Sequence, residues 1–388
     1  MTSTACDCPA RPARPATPAA QAPLVLAPVL VTPTKPLTPS HVKALLWLDV
    51  LHKATARLRP TVYTTNRRAF DVALQTVGFW AYLDERHAAT EYGDATPDWI
   101  GARYVEFHAA GAKLHPETVA AYRRRVETEG WVHPASDRVL ATWQHEYGIL
   151  GLGDPGLRRS VPLAYTPDQA LARLQALGVL LDLRPLRGAV FIDLTEQGIP
   201  LRPLVDTNGV DNYLLGILRE LMPRGAEAER LLLLCDEELA PDYLLLERIL
   251  ARAGVASSRL SLGRVSLGGA VRSSRAGGWT EHTAGRLIDR YLPRFGTPAF
   301  RLGMRLYFIA TLGRTAGTTF SFPDLERAMV KAERLVAALP PTTDPEQRVA
   351  ILRAHVHRAG YVDPYRLTSL LQANRPDPAL GALLPLFT

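Results

Sequence analysis

Cysteine is nearly absent: three residues in 388, too few for a disulfide framework. Cys6 and Cys8 make an incidental Cys-x-Cys pair, and no set of Cys and His has the spacing of structural zinc. No apolar run reaches the roughly 18 residues that a membrane-spanning helix needs, which excludes such a span. Residues 1–22 are rich in Pro, Ala, Thr and Arg and lack an apolar signal core. This tail is expected to be disordered, and the protein cytoplasmic rather than secreted. Lysine is scarce beside arginine, a bias that GC-rich coding produces without functional cause. The net charge of +7 permits nucleic-acid binding without demanding it. Arg123–Arg125 and Arg158–Arg159 read as solvated faces, and no basic stripe interleaved with aromatics suggests a single-strand platform. Hydrophobic residues make up 47%, a globular proportion, and the length allows two or three domains with ample core.

What is present is punctuated at one junction. Residues 24–31 are apolar throughout and read as a buried strand, with Pro28 the one objection. A Pro/Thr-rich loop follows, and from His41 the residues Leu45, Leu46, Leu48 and Leu51 recur at helical spacing. Ser40 is the expected cap of that helix. A helix start facing a strand end suits a phosphate, because its free amides and dipole favour an anion. A histidine in the first turn can add a hydrogen bond to a phosphoryl oxygen. Far downstream, Val271-Arg-Ser-Ser-Arg-Ala-Gly-Gly-Trp-Thr280 offers hydroxyls, two arginines and a tight glycine turn, chemistry suited to a leaving polyphosphate.

These segments resemble the signatures of class I aminoacyl-tRNA synthetases, the arginine-type enzymes above all. Their pattern is Pro-Thr-Gly-Pro-Leu-His-x-Gly-His, followed by a basic and an acidic residue. Pro33, Thr34, Pro36 and Leu37 fit it, His41 takes the second histidine of the HIGH signature, and Lys43 and Asp49 fit the two charged positions. Thr38 stands where the first histidine belongs and Ser40 replaces the glycine that lets adenine lie close, which implies a reshaped or weakened ATP site. Ser273, Ser274, Arg275 and Gly277 resemble the arginine-type KMSKS loop. Arg272 replaces its methionine, Gly278 replaces its asparagine, and its positive charge comes from Arg272 and Arg275. Asn208–Tyr213 is similar to an Asp-Gly-Thr-x-x-Tyr segment of these enzymes, and Leu231–Glu237 to a strand ending in acids.

The resemblance implies a Rossmann-like α/β catalytic fold of the HUP type with a parallel sheet. A helical insertion at about 60–180 lines the amino-acid pocket, the catalytic domain spans 23–330, and residues 331–388 form a small helical appendage. It implies ATP with Mg2+, amino-acid activation, and contacts to nucleotide or phosphate from Pro36, Leu37, Thr38, Ser40, His41, Lys43, Gly209, Asp236, Arg272, Ser273, Ser274, Arg275 and Gly277. Asn212 and Tyr213 would face the amino acid. Tyr213 also reads as a core aromatic, and Asp236 equally as a helix cap. Gln75, Gly78 and Trp80 loosely resemble an Asp-Trp-Gly-x-Gln segment in altered order. Trp131-Val-His-Pro134 reads as a structural turn or a pocket border. Strands near 188–194 and 231–234 are expected to continue the α/β alternation. With Pro340-Pro341, Pro376 and Pro378 breaking up the last residues, no full anticodon-binding bundle is expected. The activated acyl group would then pass to a small amine or carrier. The alternatives are tRNA charging and a catalytically silent paralogue with a binding role.

Overall fold

The computed structural model describes residues 21–27, 31–111, 115–271, 273–339, 344–373 and 377–388. Cys6, Cys8, Pro28, Arg272, Pro340-Pro341 and Pro376 lie outside them. A four-stranded parallel sheet organises the molecule. Its strands are β1 (Leu24–Ala27), β2 (Thr61–Tyr63), β6 (Arg230–Asp236) and β7 (Ser257–Leu262), in the order β2-β1-β6-β7. Continuous apolar runs form β1 and β6 because both faces are covered. Leu24, Leu26, Leu232 and Leu234 face one core with Val42, Leu46 and Val50 of the helix Pro39–Thr55. Val25, Ala27, Leu231, Leu233 and Cys235 face the other, with helices Tyr213–Gly225 and Ala240–Arg252. The chain leaves β1 toward β2 and β6 toward β7, so the sheet order reverses between β1 and β6. A crevice opens beyond the strand ends at such a switch point.

Prolines mark helix starts. Pro39, Pro97, Pro116, Pro134, Pro167, Pro345 and Pro364 each open a helix, where the missing N–H costs nothing and the fixed φ is already helical. Pro39 moves the first cap two residues earlier than expected: Thr38, not Ser40, is the N-cap, and its N–H donates to His41 Nδ1 at 3.2 Å. Ser40 instead accepts from the Val265 amide at 3.0 Å. The region 60–180 is mainly helical, including Leu74–Arg86, Pro97–Ala110, Pro116–Glu129, Pro134–Leu150 and Pro167–Ala176, but it also supplies the edge strand β2. Trp131–Pro134 is a turn in which His133 caps the following helix, accepting from the Ala135 N–H at 3.1 Å.

The strand expected near 188–194 does not join the parallel sheet. It is β4 (Val190–Leu194), central in an antiparallel sheet between β3 (Leu180–Asp182) and β5 (Ile199–Val205). Val190, Ile192 and Leu194 are buried while Phe191 and Asp193 are half-buried, the alternation of a sheet covered on one face. Helix Ala284–Arg305, kinked at Gly296 (φ 69°), carries Arg305 to a buried ion pair with Asp49 at 2.6 Å. Asp49 also receives the Gly153 amide at 3.1 Å and Lys53 at 2.9 Å, so it fastens the first helix to its neighbours. Helix Phe322–Ala338 runs through the boundary placed at 330, and Leu352, Leu367, Leu371 and Phe387 beyond it share the core of Leu46 and Trp47. Among the described residues no helix is long and apolar enough to cross a membrane.

Candidate active site

Two adjoining cavities occupy the crevice. The larger, about 720 Å3, extends from Leu234, Cys235 and Asp236 to the helices Leu74–Arg86 and Pro97–Ala110. The smaller, about 290 Å3, lies between the helix start at Thr38–His41 and the segment 264–282. Ser40, His41, Asp236, Arg264 and Ser274 line both. The two sequence segments that carried the phosphate chemistry therefore meet at one wall.

His41 is held neutral there. Burial, then the charges of Lys35 and Arg264, push its pKa well below the usual imidazole range. Because Nδ1 accepts the Thr38 N–H, the ring proton belongs on Nε2, which becomes a donor. Opposite it, Ser273 Oγ accepts the Arg275 amide at 3.4 Å, and Gly277 (φ 74°) and Gly278 (φ 78°) take backbone conformations that disfavour side chains. Trp279 pins this loop: its indole N–H donates to Ser274 O at 2.9 Å and its ring lies over Gly101. A Cβ on Gly101 would stand 2.6 Å from Trp279 Cη2 and 2.9 Å from Pro36 Cδ. Pro36 thus packs against the insertion, and Leu37, fully buried, accepts the Ala284 amide at 2.9 Å. Both shape the loop without lining either cavity.

Asp236, at the end of β6, lines both cavities and is paired with Arg264 at 2.9 Å; Arg264 also binds Glu238 at 2.5 Å. Asn212 and Tyr213 line the larger cavity. Asn212 caps its helix, accepting the Leu214 amide at 2.9 Å, while the Tyr213 hydroxyl bonds to Asp242. Two expected nucleotide contacts fall elsewhere. Lys43 is buried beneath the crevice floor, donating to the carbonyls of Gly263 (2.7 Å), Arg314 (3.3 Å) and Thr315 (3.4 Å). Gly209 sits in a turn whose amides at Asn208 and Val210 donate to Asp206 Oδ1, facing a separate hollow with Arg123 and Arg184. A turn that closes on its own aspartate projects away from the sheet end, which removes Gly209 from the crevice.

Sequence reasoning missed Lys35, Tyr104, His108, Arg264 and Trp279, and set Gln75 aside. Gln75 joins three segments: its Oε1 accepts from Arg275 Nη2 at 2.9 Å and its amide nitrogen bonds to the Tyr104 hydroxyl. Lys35 Nζ lies 4.4 Å from the Tyr104 ring centre. Burial, reinforced by Arg275 and Arg264, lowers its pKa to about 7; burial, then Arg275 and Lys35, lowers that of His108 to about 4. Cys235 is buried and its thiol is pushed up to about 11, mainly by burial, so it stays protonated. The one signal for Lys35 in the sequence is its position, where the Pro-Thr-Gly-Pro-Leu pattern has glycine.

No family model and no curated protein matches the chain. Solved structures do. The arginyl-tRNA synthetase of Thermus thermophilus superposes with a TM-score of 0.62 at 14% identity, over 96% of this chain and 75% of that one. The likeness is one of fold. The enzyme of Plasmodium falciparum gives 0.54 at 10% identity, over 95% and 68%. Within this mixed α/β fold the crevice lies at the carboxyl ends of β6 and β7, closed on one side by the helices Leu74–Arg86 and Pro97–Ala110.

Proposed function

We propose that this protein activates an amino acid with ATP and passes the acyl group to a small amine or carrier. The observation that carries the reading is the meeting of the Thr38–His41 helix start with the Ser273–Gly278 loop across one crevice, in a synthetase fold. In the reaction, a carboxylate oxygen of the amino acid attacks the α-phosphorus of ATP. The bond from that phosphorus to the bridging oxygen breaks, and aminoacyl adenylate and pyrophosphate result.

The protein supplies position and charge rather than a covalent intermediate. His41 Nε2–H donates to a phosphoryl oxygen, and the helix start adds the positive end of its dipole. Ser40 and Thr38 border the nucleotide, Ser273 and Ser274 give hydroxyl donors, and Arg275 with the turn at Gly277 takes up charge as pyrophosphate leaves. Arg272 lies outside the described residues and is proposed only by its place in the loop. Asp236 accepts from the ribose or the substrate ammonium, with Arg264 fixing its orientation. Asn212 and Tyr213 border the amino acid. Among the described residues no three His, Cys, Asp or Glu side chains gather to hold a metal ion. Mg2+ is therefore proposed to enter on the triphosphate, where it supplies charge neutralisation. Leu352, Leu367, Leu371 and Phe387 pack into the core, and that favours a small acceptor over a reading domain for RNA within the described residues.

Amino-acid-dependent exchange of pyrophosphate into ATP tests the proposal. Exchange with one amino acid, lowered about 100- to 1000-fold in His41→Ala, is expected from loss of a preorganised donor. A requirement for tRNA would move tRNA charging ahead. No exchange under any condition, with no rise in melting temperature on adding ATP, would overturn activation and leave the silent paralogue.

A further inference from the structure

The wall of the larger cavity built by the insertion is cationic and lacks counter-ions. Lys35 is 3% exposed, yet among the described residues its ammonium makes no hydrogen bond and no ion pair. Its one charge-related contact is the Tyr104 ring. Beside it, His108 Nε2 is buried without a partner, and Arg275 is engaged by neutral groups, the Gln75 amide and the Tyr104 hydroxyl. The acids lining this cavity are Asp236 and Glu238, and Arg264 holds both at the opposite wall. An ammonium on a buried side chain without a carboxylate is costly, and one that opens on a cavity is completed by an anionic ligand.

Building on the activation reading, we infer that the amino acid taken here carries a second carboxylate in its side chain and that Lys35 is its counter-ion. The α-carboxylate of the substrate must lie at the shared wall, where Ser40, His41 and Ser274 meet the nucleotide. Lys35 lines only the larger cavity, which the Ser273–Arg275 loop also reaches, and its contact with the Tyr104 ring sets it on the insertion side, within reach of a side chain that extends from the shared wall. Phe70, Leu74 and Phe107 supply apolar contact for a short methylene stem, and Gln75, Tyr104 and His108 place polar groups beside its end. An arginine or lysine side chain would set a third cation beside Lys35 and Arg275 with no free acid to receive it. An apolar side chain would seal Lys35 away from both water and any anion. The arginine-type scaffold therefore holds a pocket of reversed charge preference.

Calorimetric titration of the full chain with L-glutamate, L-aspartate, L-glutamine, L-asparagine and L-arginine tests this, beside pyrophosphate exchange with the same compounds. An acidic amino acid is expected to bind at least about tenfold tighter than its amide, the cost of leaving a buried charge unpaired. Lys35→Met is expected to erase that ratio and Lys35→Arg to restore part of it, with circular dichroism confirming that both fold. Arginine binding tightest, or acid and amide binding alike, would overturn the inference; exchange with that amino acid would leave activation standing. Lys35-dependent binding of an acidic amino acid without any exchange would instead sustain the inference and remove activation. Failure of every amino acid to bind the folded chain would overturn it outright.

Discussion

Lys35 and Lys43 flank one loop-to-helix junction and are equally buried, at 3% and 2% exposure. Their surroundings differ completely. Lys43 donates to three carbonyls and closes the gap between the end of β7 and the loop at Arg314–Thr315. Gly263 makes that closure possible, since a Cβ there would stand 1.8 Å from the Ala316 nitrogen. Lys35 donates to nothing and faces a cavity. Burial alone thus does not separate a lysine that builds the fold from one that serves a ligand; the count of satisfied donors does.

The comparison breaks most visibly at Lys43. Lys43→Met leaves three carbonyls without their donor and is expected to cost about 2–4 kcal/mol, read by urea denaturation. An unchanged midpoint would mean that water replaces the ammonium and that Lys43 is not a structural tie. Next in size is Gly101→Ala. The added methyl meets Trp279 and Pro36, and about 1–3 kcal/mol of strain is expected, relieved by displacement of the Ser273–Trp279 loop. Quenching of tryptophan fluorescence by acrylamide should report the movement, and pyrophosphate exchange should fall more than stability does.

The effect at Lys35 itself is of similar size near pH 6 and vanishes at high pH, and its sign is opposite. Its folded-state pKa, about 7, lies below the ordinary 10.5. Below pH 7 the lysine is charged both folded and unfolded, so the burial penalty is fully present. As pH rises through 7 the folded chain releases the proton first and the penalty fades, disappearing near 10.5. Lys35→Met should therefore stabilise the protein by about 1–3 kcal/mol near pH 6 and by almost nothing near pH 10. Burial lowers the Lys43 pKa too, to about 8, so Lys43→Met should destabilise less near pH 6 than near pH 10 while keeping its sign. The same sign of effect near pH 6 in the two variants would erase the distinction between the lysines.

Much of this was legible in the sequence. The apolar run of β1, the proline-rich loop and the 3.6-residue periodicity placed the first helix, and the Ser/Arg/Gly segment marked the loop that meets it. Local chemistry was enough, because strand, turn and cap are decided within a few residues. Pairing was not legible. β2 has three residues and no period to recognise, and β4 alternates in a way that fits an antiparallel sheet as well as a crossover partner. Side-chain destination was not legible either. Lys35 lies between prolines in a loop, where a lysine is ordinarily solvated; only the helices Leu74–Arg86 and Pro97–Ala110 folding over it bury it. Gly209 and Asn212 are neighbours in sequence, yet the turn at Asp206 sends one away from the crevice while the helix cap keeps the other at its edge.

The chain has five lysines, Lys35, Lys43, Lys53, Lys113 and Lys331, few enough to assign individually by substitution. Titration of lysine labelled with carbon-13 at Cε, followed by NMR with and without the acidic amino acid that binds, examines Lys35 directly. Lys35 is expected to titrate near 7 in the free protein and to move upward, toward the ordinary value of 10.5, when the ligand's carboxylate arrives, while Lys43 stays near 8. A Lys35 that titrates near 10.5 without ligand, or one that the ligand leaves unmoved, would contradict its role as counter-ion.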